Sequence, residues 1–272
     1  MSDAGLGIAA GAVFDGLAPS YDQDFTGSLI GRAQRSAVWK ILLKTFHPKD
    51  NILELNCGTG EDALFLAGNN ISVFACDASQ QMISRADQRL NMSPLPHLVT
   101  FCHLPTESIA SLNPALGFDG AFSNFSGLNC IEDLRPVAAS LAKLVKPGGH
   151  LLFCFSTRFC LIEIVYYLSQ GRVKKAFRRC KGHTIAHLND APPLSVYYPT
   201  VRALRRTFAP HFRLRSCTGV GVAIPPSYLE GWARRHPYLF RLLSRLETVF
   251  ANLPFFRTTG DHVLLRFERV TS

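Results

Sequence analysis

The sequence predicts an α/β fold built on a doubly wound, mostly parallel sheet. Between residues 50 and 156, short apolar runs alternate with amphipathic segments, and residues such as Gly, Pro, Asp and Ser separate them. Chains with this alternation form parallel sheets, because each helix returns the chain to the start of the next strand. A second observation points the same way: a glycine-rich turn follows the first apolar run directly, at residues 56–60.

Seven segments have the length and apolar composition of β-strands. They are residues 51–55, 71–76, 99–103, 118–123, 150–155, 212–222 and 262–268. Helical spacing of apolar residues predicts helices over 30–45, 61–67, 79–90, 131–145 and 200–208. Ser79 fits the N-cap of the third helix, and Pro147-Gly148-Gly149 predicts where the fourth one ends.

The strand–helix rhythm is interrupted twice after residue 156. Residues 159–168 predict an apolar helix, a basic run follows at 172–181, and residues 182–195 predict irregular chain. Pro225-Pro226 opens a second helical segment over 227–251, in which arginines are interleaved with large apolar residues. We therefore expect helical insertions after the fifth strand and between the last two strands.

The charge is distributed unevenly along the 272 residues, which carry a net charge of +9. Residues 1–150 hold 10 Lys and Arg against 14 Asp and Glu, and residues 151–272 hold 19 against 6. A basic surface attracts anions, so nucleic acid, anionic lipid and a small phosphorylated or carboxylated substrate are all compatible with the second half.

Composition excludes several protein classes. A hydrophobic fraction of 47% argues against a disordered chain, and no segment reaches the ~20 uninterrupted apolar residues of a membrane span. The N-terminus lacks the basic region of a secretory signal, which predicts a cytoplasmic protein. The eight cysteines form no C-x-x-C pair. We expect reduced, buried thiols and no metal site.

The segment from Glu54 to Gly60, with the sequence ELNCGTG, carries the strongest functional signal. A strand that enters a glycine-rich turn and then a helix lets the backbone approach a ligand closely. Asp77 follows at the end of the next strand, where a carboxylate can accept both hydroxyls of a ribose. A G-x-G-x-x-G dinucleotide fingerprint does not fit this spacing.

Together with FDGAFSNF at 118–125 and LVKPGG at 144–149, these residues occur in the order typical of one family. The chain resembles the class I S-adenosylmethionine-dependent methyltransferases, closely over residues 14–156. The resemblance implies a seven-stranded Rossmann-like sheet, S-adenosyl-L-methionine as cofactor and S-adenosyl-L-homocysteine as product. It also implies a single domain over 1–272. Within it we expect an N-terminal arm and helix (1–45), a cofactor-binding core (46–156), a first insertion (157–199), and a final region (200–272) with a helical insertion at 226–252.

The resemblance also assigns roles by position. Glu54 would bind the amino group of the cofactor, Asp77 its ribose, and Ala78 and Met82 its adenine. The full set of implied cofactor contacts is Tyr21, Glu54, Asn56, Cys57, Gly58, Gly60, Asp77, Ala78, Met82, Thr106, Glu107, Asn124 and Phe125. The chain departs from the family pattern in two places: Asn56 stands where most members have the first glycine, and Pro105-Thr106-Glu107 stands where many have an aspartate that contacts the adenine. Purely structural roles are the alternatives to these contacts: a plain strand–helix turn at Gly58 and Gly60, a helix cap at Asp77, a turn residue at Asn124, and packing at Tyr21 and Phe125.

Methyl transfer requires an acceptor atom aligned with the methyl group, and a general base only where the acceptor loses a proton with a high pKa. The sequence leaves that base unknown. Candidates are His183, His187 and Tyr197 first, with Glu163, Tyr198 and His262 beside them. For acceptor binding we expect Tyr21, Asn129, Tyr166 and Tyr198.

Three functional hypotheses follow. The leading one is methylation of a small-molecule or lipid-like acceptor, apolar or anionic, under the two insertions. Their basic amphipathic helices also fit peripheral contact with a membrane, although helices packed on the sheet with solvated arginines give the same pattern. The second is a nucleic-acid methyltransferase; no recognised RNA-binding module supports it. The third is a cofactor-binding scaffold without catalysis. Oligomeric state is not predicted.

Overall fold

The computed structural model describes residues 4–186 and 192–271 and contains nine strands in those ranges. They are β1 Asn51–Leu55, β2 Ser72–Asp77, β3 Val99–His103, β4 Phe118–Ser123, β5 Val145–Ser156, β6 His183–Ala186, β7 Leu194–Tyr197, β8 Phe212–Val220 and β9 His262–Arg269. Seven of them form one sheet in the order β3-β2-β1-β4-β5-β9-β8. Strands β1 to β5 are parallel, whereas β9 is antiparallel to both of its neighbours. The predicted doubly wound, mostly parallel sheet is confirmed.

Ten α-helices accompany these strands in the described ranges. They are α1 Ala4–Tyr21, α2 Leu29–Thr45, α3 Glu61–Ala67, α4 Gln80–Asn91, α5 Arg135–Leu144, α6 Leu161–Ser169, α7 Val173–Ala176, α8 Val201–Phe208, α9 Glu230–Arg235 and α10 Pro237–Phe250. Successive residues of a strand point to opposite faces of the sheet. Ile52 accordingly packs with α2 and α3 on one face, and Leu53 packs with α5 and α8 on the other. Both faces are buried, which explains the nearly continuous apolar runs of the central strands.

The strand order indicates at which edge of the sheet a ligand would bind. The chain moves outward from β1 through β2 to β3 and then returns to β4 on the other side of β1. Ligands of open α/β sheets bind beyond the carboxyl ends of the strands at this reversal. The turns that follow β1, β2 and β4 meet there.

The boundaries around the fifth strand differ from the prediction. Helix α5 begins at Arg135 and not at 131, because residues 127–130 form a separate 3-10 turn. Helix α5 ends at Leu144, one residue before the predicted end. Strand β5 already begins at Val145, so Pro147-Gly148-Gly149 lies within an irregular strand and does not separate the helix from the strand. A register shift between Phe118 and Gly120 of β4 absorbs the extra residues.

Both insertions also differ in detail. The prediction of irregular chain over 182–195 is wrong at its ends, because β6 and β7 form an antiparallel hairpin. The helix predicted over 227–251 is divided at His236, whose φ of −126° and ψ of 59° are not helical. The cause is Pro237, which disfavours the helical conformation of the residue before it. The N-terminal arm is a helix, α1, followed by a π turn over Asp22–Thr26.

The cysteines match the expectation of buried thiols only in part. The eight cysteines all lie in the described ranges and are free; four are buried and four are half-buried. No helix in those ranges is long and apolar enough to cross a bilayer.

We expect Gly120→Ala to destabilise the sheet, since an added Cβ would lie 2.5 Å from the Phe46 ring and 2.6 Å from the carbonyl oxygen of His150. Overpacking of this kind costs about 1–3 kcal/mol, measurable as a lower urea midpoint with an unchanged slope. Gly231→Ala is the matched control, because a Cβ there meets nothing within 4 Å and should stabilise α9 slightly. Equal midpoints for the two variants would contradict the packing described for β4.

Candidate functional site

The glycine turn after β1 is shaped by left-handed backbone. Asn56, Gly58 and Gly60 have φ values of 56°, 55° and 77°, and an asparagine tolerates this region better than most residues with a side chain. Gly60 also lacks room for a side chain, because a Cβ would lie 2.5 Å from the ring of Phe101. The unusual Asn56 is held in place by the Ser123 hydroxyl, which donates to its side-chain oxygen over 3.1 Å.

Asp77 fixes this turn against the end of β2. Its Oδ2 accepts from the backbone N–H of Gly58 and its Oδ1 from that of Ser79, both over 2.8 Å. The side chain is buried, and burial raises its pKa, although these backbone donors counteract the shift. Each oxygen has a second acceptor position, so the carboxylate could also bind two hydroxyls of a ribose. Asp77 therefore does not cap α4; the Ser79 hydroxyl does, accepting from Met82 N–H.

Glu54 presents a buried acceptor without a donor. The residue is 1% exposed, and its Oε2 has no hydrogen-bond partner among the described residues. Burial, reinforced by the nearby Asp62 carboxylate, raises the pKa of Glu54 well above its usual range. A buried acceptor of this kind is costly unless a ligand satisfies it. An ammonium group would do so, and the site therefore fits the amino acid end of S-adenosylmethionine.

Asp62 connects three elements beneath the site. Its carboxylate binds the Arg35 guanidinium over 2.5 Å, the Trp39 indole N–H over 2.6 Å and the Asn124 side-chain amide over 3.1 Å. The Asn124 oxygen in turn accepts from the Phe125 N–H. The predicted Asn124 thus orients the chain after β4, where Phe125 adopts a positive φ of 42°.

These elements enclose a cavity, here called the glycine-turn cavity. Nine predicted residues line it: Tyr21, Asn56, Gly58, Asp77, Ala78, Met82, Glu107, Asn124 and Phe125. The prediction missed Ala10, Phe14, Gly127, Cys130 and Ile131, which carry no motif and reach the cavity only through the tertiary fold. Glu54, Cys57, Gly60 and Thr106 lie in the surrounding layer and do not form its wall.

Helix α1 covers the glycine-turn cavity. Gly11 lets α1 approach closely, because a Cβ would lie 2.3 Å from the Ala78 carbonyl oxygen. Asp15 accepts from the Ser79 hydroxyl over 2.6 Å, and Asp22 accepts from the Thr59 hydroxyl over 2.6 Å. The cavity beneath α1 has a volume of about 70 Å³.

A second cavity, here called the histidine cavity, adjoins the first. Its volume is about 340 Å³, and Phe14, Tyr21 and Phe125 line both cavities. Its other walls are Leu17, Phe25, Ser156, Arg178, Arg179, Pro226, Ser227, Tyr228, Asp261 and His262. One wall is therefore apolar and aromatic, and the opposite wall carries charge.

The charged wall is a buried ion-pair network. Arg179 binds Glu163 over 2.5 Å and Asp261 over 2.9 Å, and each of these three side chains is at most 8% exposed. Arg178 and the Tyr228 hydroxyl complete the contacts of Glu163, over 2.9 and 3.0 Å. Every charge in the network therefore has an opposite partner. Because Asp261 directly precedes β9 and the other three charged residues belong to the first insertion, the network also joins these two parts of the chain.

His262 lies where this network meets the aromatic wall. Its ring packs edge-on against Phe125, with centroids 5.5 Å apart, and its Nδ1 lies 3.5 Å from Asp261 Oδ2. Nδ1 is buried and has no hydrogen-bond partner among the described residues, and His262 is one of the residues that line the histidine cavity. Burial and Arg179 lower the pKa of His262 while Asp261 opposes them, and the imidazole is neutral at pH 7.

The other predicted catalytic and substrate residues lie elsewhere. His183 is exposed on the β6–β7 hairpin, its ring 4.8 Å from that of Tyr197, and the Tyr197 hydroxyl donates to Glu132. His187 lies outside the described residues. Asn129 binds the backbone of Ser156 and Tyr197 with both side-chain groups. Tyr198 packs beneath Arg179, and Tyr166 lines a third, apolar pocket.

No group of three His, Cys, Asp or Glu side chains within 4–186 and 192–271 has the geometry to hold a metal ion.

Residues 53–151 match the family model described as a methyltransferase domain. The chain is 30% identical over 149 residues to the 2-phytyl-1,4-naphtoquinone methyltransferase of Trichormus variabilis, covering 51% of this chain and 60% of that protein. It is 26% identical over 147 residues to the tRNA 5-carboxymethoxyuridine methyltransferase of Escherichia coli, covering 52% and 55%. The chain thus spans less than two thirds of the length of these curated relatives.

A solved S-adenosylmethionine-dependent methyltransferase from Clostridium acetobutylicum shares the fold, with a TM-score of 0.59 at 14% identity over 95% of this chain and 99% of that one. The family match covers the strands that carry the glycine turn and Asp77, so residues 53–151 contain a methyltransferase domain, and the chain shares the fold of solved S-adenosylmethionine-dependent methyltransferases.

Proposed function

We propose that this chain transfers a methyl group from S-adenosylmethionine to a small or lipid-like acceptor held in the histidine cavity. The observation that carries the proposal is the junction of the two cavities at Tyr21 and Phe125. When bound, the cofactor supplies an electrophilic methyl group on a sulfonium. The protein's task is to hold the acceptor in line with that methyl group and to exclude water.

Each residue around the glycine-turn cavity has a contact that suits one part of the cofactor. Asp77 has spare acceptor positions for the ribose, and Glu54 has an unpaired oxygen for the ammonium. Ala78 and Met82 offer an apolar wall to the adenine, with Glu107 in the same lining and Thr106 buried behind it. Binding a cation beside Glu54 would favour its ionised form and offset the cost of burial.

We further propose His262 as the proton acceptor when the acceptor group is a hydroxyl. Its neutral imidazole lines the cavity, and Asp261 can orient the ring and stabilise the imidazolium that forms. Tyr21 also borders both cavities, but its pKa is raised to about 12, mainly by burial, so its phenol remains protonated at neutral pH.

The acceptor class draws support from the cavity and from one relative. The apolar and aromatic side of the histidine cavity suits a ring, while Arg178 and Arg179 suit an oxygen-bearing or anionic substituent. The Trichormus variabilis relative is named for a naphthoquinone that carries a phytyl chain. We propose a cytoplasmic enzyme that acts on a phenolic or quinol-like compound, with peripheral membrane contact through its basic helices.

One observation favours RNA as the alternative acceptor. A groove of about 870 Å³ beside α8 and β8 is lined by Arg202, Arg205, Arg206, Arg215 and Arg257. Within the described residues, only Arg215 of these five has a carboxylate partner, Glu268. Unpaired guanidiniums along a groove suit a phosphate backbone, and the Escherichia coli relative is named for a tRNA nucleoside.

Replacing Asp77 by Ala should weaken S-adenosylmethionine binding about ten- to hundredfold, because charge-assisted hydrogen bonds worth about 1.5–3 kcal/mol are lost. Isothermal titration calorimetry measures this directly. Asp119→Ala is the control, since Asp119 pairs with Lys146 and does not line the cavity; its affinity should equal that of the native chain. Absence of cofactor binding by the native chain would refute the assignment.

A panel of phenols, quinols, amines and transfer RNA, assayed with methyl-labelled cofactor, separates the acceptor classes. We expect label in a phenol or quinol, and RNA affinity that is weak at 0.15 M salt. Tight RNA binding that falls steeply with salt, together with labelled RNA, would establish the alternative. Cofactor binding without label in any class would instead indicate a scaffold.

With a hydroxyl acceptor from that panel, His262→Gln should lower kcat by about 10²–10⁴-fold, as expected for loss of a general base. Cofactor affinity should not change. In the native chain kcat/KM should fall only as the pH drops through the lowered pKa of His262, since the protonated ring cannot accept a proton. This acid limb should be absent from the variant; its persistence would assign the base elsewhere.

A further inference from the structure

The first insertion and the last helices enclose a third cavity, the apolar pocket, of about 580 Å³. It lies between α6, the 222–225 segment, α9 and α10. Its walls include Ile162, Val165, Pro225, Leu229, Trp232 and Leu243. Only the Ser169 hydroxyl and the polar edges of Tyr166 and Trp232 interrupt the hydrocarbon lining. The volume falls within the range of small-molecule sites.

The floor of the apolar pocket is held by a buried carboxylate. Glu247 of α10 is 2% exposed and accepts from the backbone N–H groups of Val222, Ala223 and Ile224, over 3.1, 2.7 and 3.2 Å. These bonds fix the 222–224 segment against α10. One wall of the pocket, Val222 and Ala223, is therefore held in place by hydrogen bonds and not by packing alone.

The apolar pocket and the histidine cavity share two walls. In the segment 225–229, Pro225 and Leu229 line the apolar pocket, while Pro226, Ser227 and Tyr228 line the histidine cavity. Helix α6 divides in the same way. Its residue Glu163 belongs to the charged network, whereas Ile162 and Val165 face the apolar pocket. Only the segment 225–229 and helix α6 therefore separate the two cavities.

The two cavities differ in chemistry as the two ends of an amphiphile do. One holds guanidiniums, a carboxylate and an imidazole beside the reacting position; the other is almost entirely hydrocarbon. We infer that the apolar pocket binds the hydrocarbon chain of an amphiphilic acceptor whose reactive head group occupies the histidine cavity. This inference rests on the proposed function and narrows its acceptor to a ring that carries an acyl or isoprenoid chain.

Trp232 provides a direct readout, because the chain has two tryptophans and the other, Trp39, stacks on Phe65 beside α3. The probe is a benzoquinone with a ten-carbon chain, compared with the same quinone without the chain. We expect saturable quenching by the first that is lost in Trp232→Phe. Affinity should rise about fourfold per added methylene until the pocket is filled, from the ~0.8 kcal/mol of each buried methylene. Equal affinity for both quinones would overturn the inference.

Matched variants on α6 test the location. Val165 and Leu168 are 59% and 42% exposed, so a carboxylate at either position should leave the fold intact, but only Val165 lines the pocket. Val165→Glu should weaken binding of the chain-bearing quinone at least tenfold, and Leu168→Glu should not. Leu243→Arg against Leu242→Arg repeats the comparison from α10. Equal effects within either pair would place the chain elsewhere.

Two further measurements separate this inference from its alternatives. S-Adenosylmethionine affinity, which should be unchanged in all four variants, shows whether the proposed cofactor site stands independently of the pocket. Sedimentation with phosphatidylcholine and phosphatidylglycerol vesicles tests the other source of a hydrocarbon chain. If Val165→Glu abolishes vesicle binding but leaves quinone quenching intact, the pocket holds bilayer lipid and the inference is wrong. Loss of quenching with unchanged vesicle binding supports it.

Discussion

The pairing of Arg35 with Asp62 is the constraint on which the site depends. Both side chains are nearly inaccessible to solvent, and the guanidinium also lies 5.7 and 5.1 Å from the rings of Phe25 and Phe125. One contact therefore ties α2, α3 and the turn after β4 to a common point. Removing one partner of a buried pair leaves an uncompensated charge, at a cost of about 3–5 kcal/mol. The positions of Asn124 and of the aromatic boundary between the cavities follow from this pair.

The network of Glu163, Arg178, Arg179 and Asp261 plays the corresponding part beside the histidine cavity. Some arginines of the second half neutralise buried carboxylates, so the basic excess counted along the sequence overstates the charge that a partner can meet. The guanidiniums of the groove beside α8 differ, because within the described chain four of the five have no carboxylate partner and their charge is not neutralised by the protein. Charge counted along a sequence cannot separate these two populations, since burial decides which of them a partner can meet.

Local patterns were sufficient to predict the sheet, and in part the cofactor side of the site. The glycine turn and Asp77 are short-range features of strand ends, and the topology of a parallel sheet brings strand ends together. The residues missed there, such as Phe14 and Ile131, have no distinctive chemistry. On the acceptor side His262 was one candidate among several, because its neighbours Arg179 and Phe125 lie far away in sequence. The hairpin of β6 and β7 was overlooked, and so was the break at Pro237, where tertiary packing and proline stereochemistry outweighed the helical pattern.

The segment 225–229 has a consequence that neither cavity has alone. Leu229 lines the apolar pocket and Tyr228 lines the histidine cavity, so a movement of this segment caused by a ligand on one side would change the shape of the site on the other. Such coupling is reciprocal: if the bound hydrocarbon chain raises the affinity for the head group by some factor, the bound head group raises the affinity for the hydrocarbon chain by the same factor. Cooperativity between the two ends of one molecule would thus be a property of five consecutive residues.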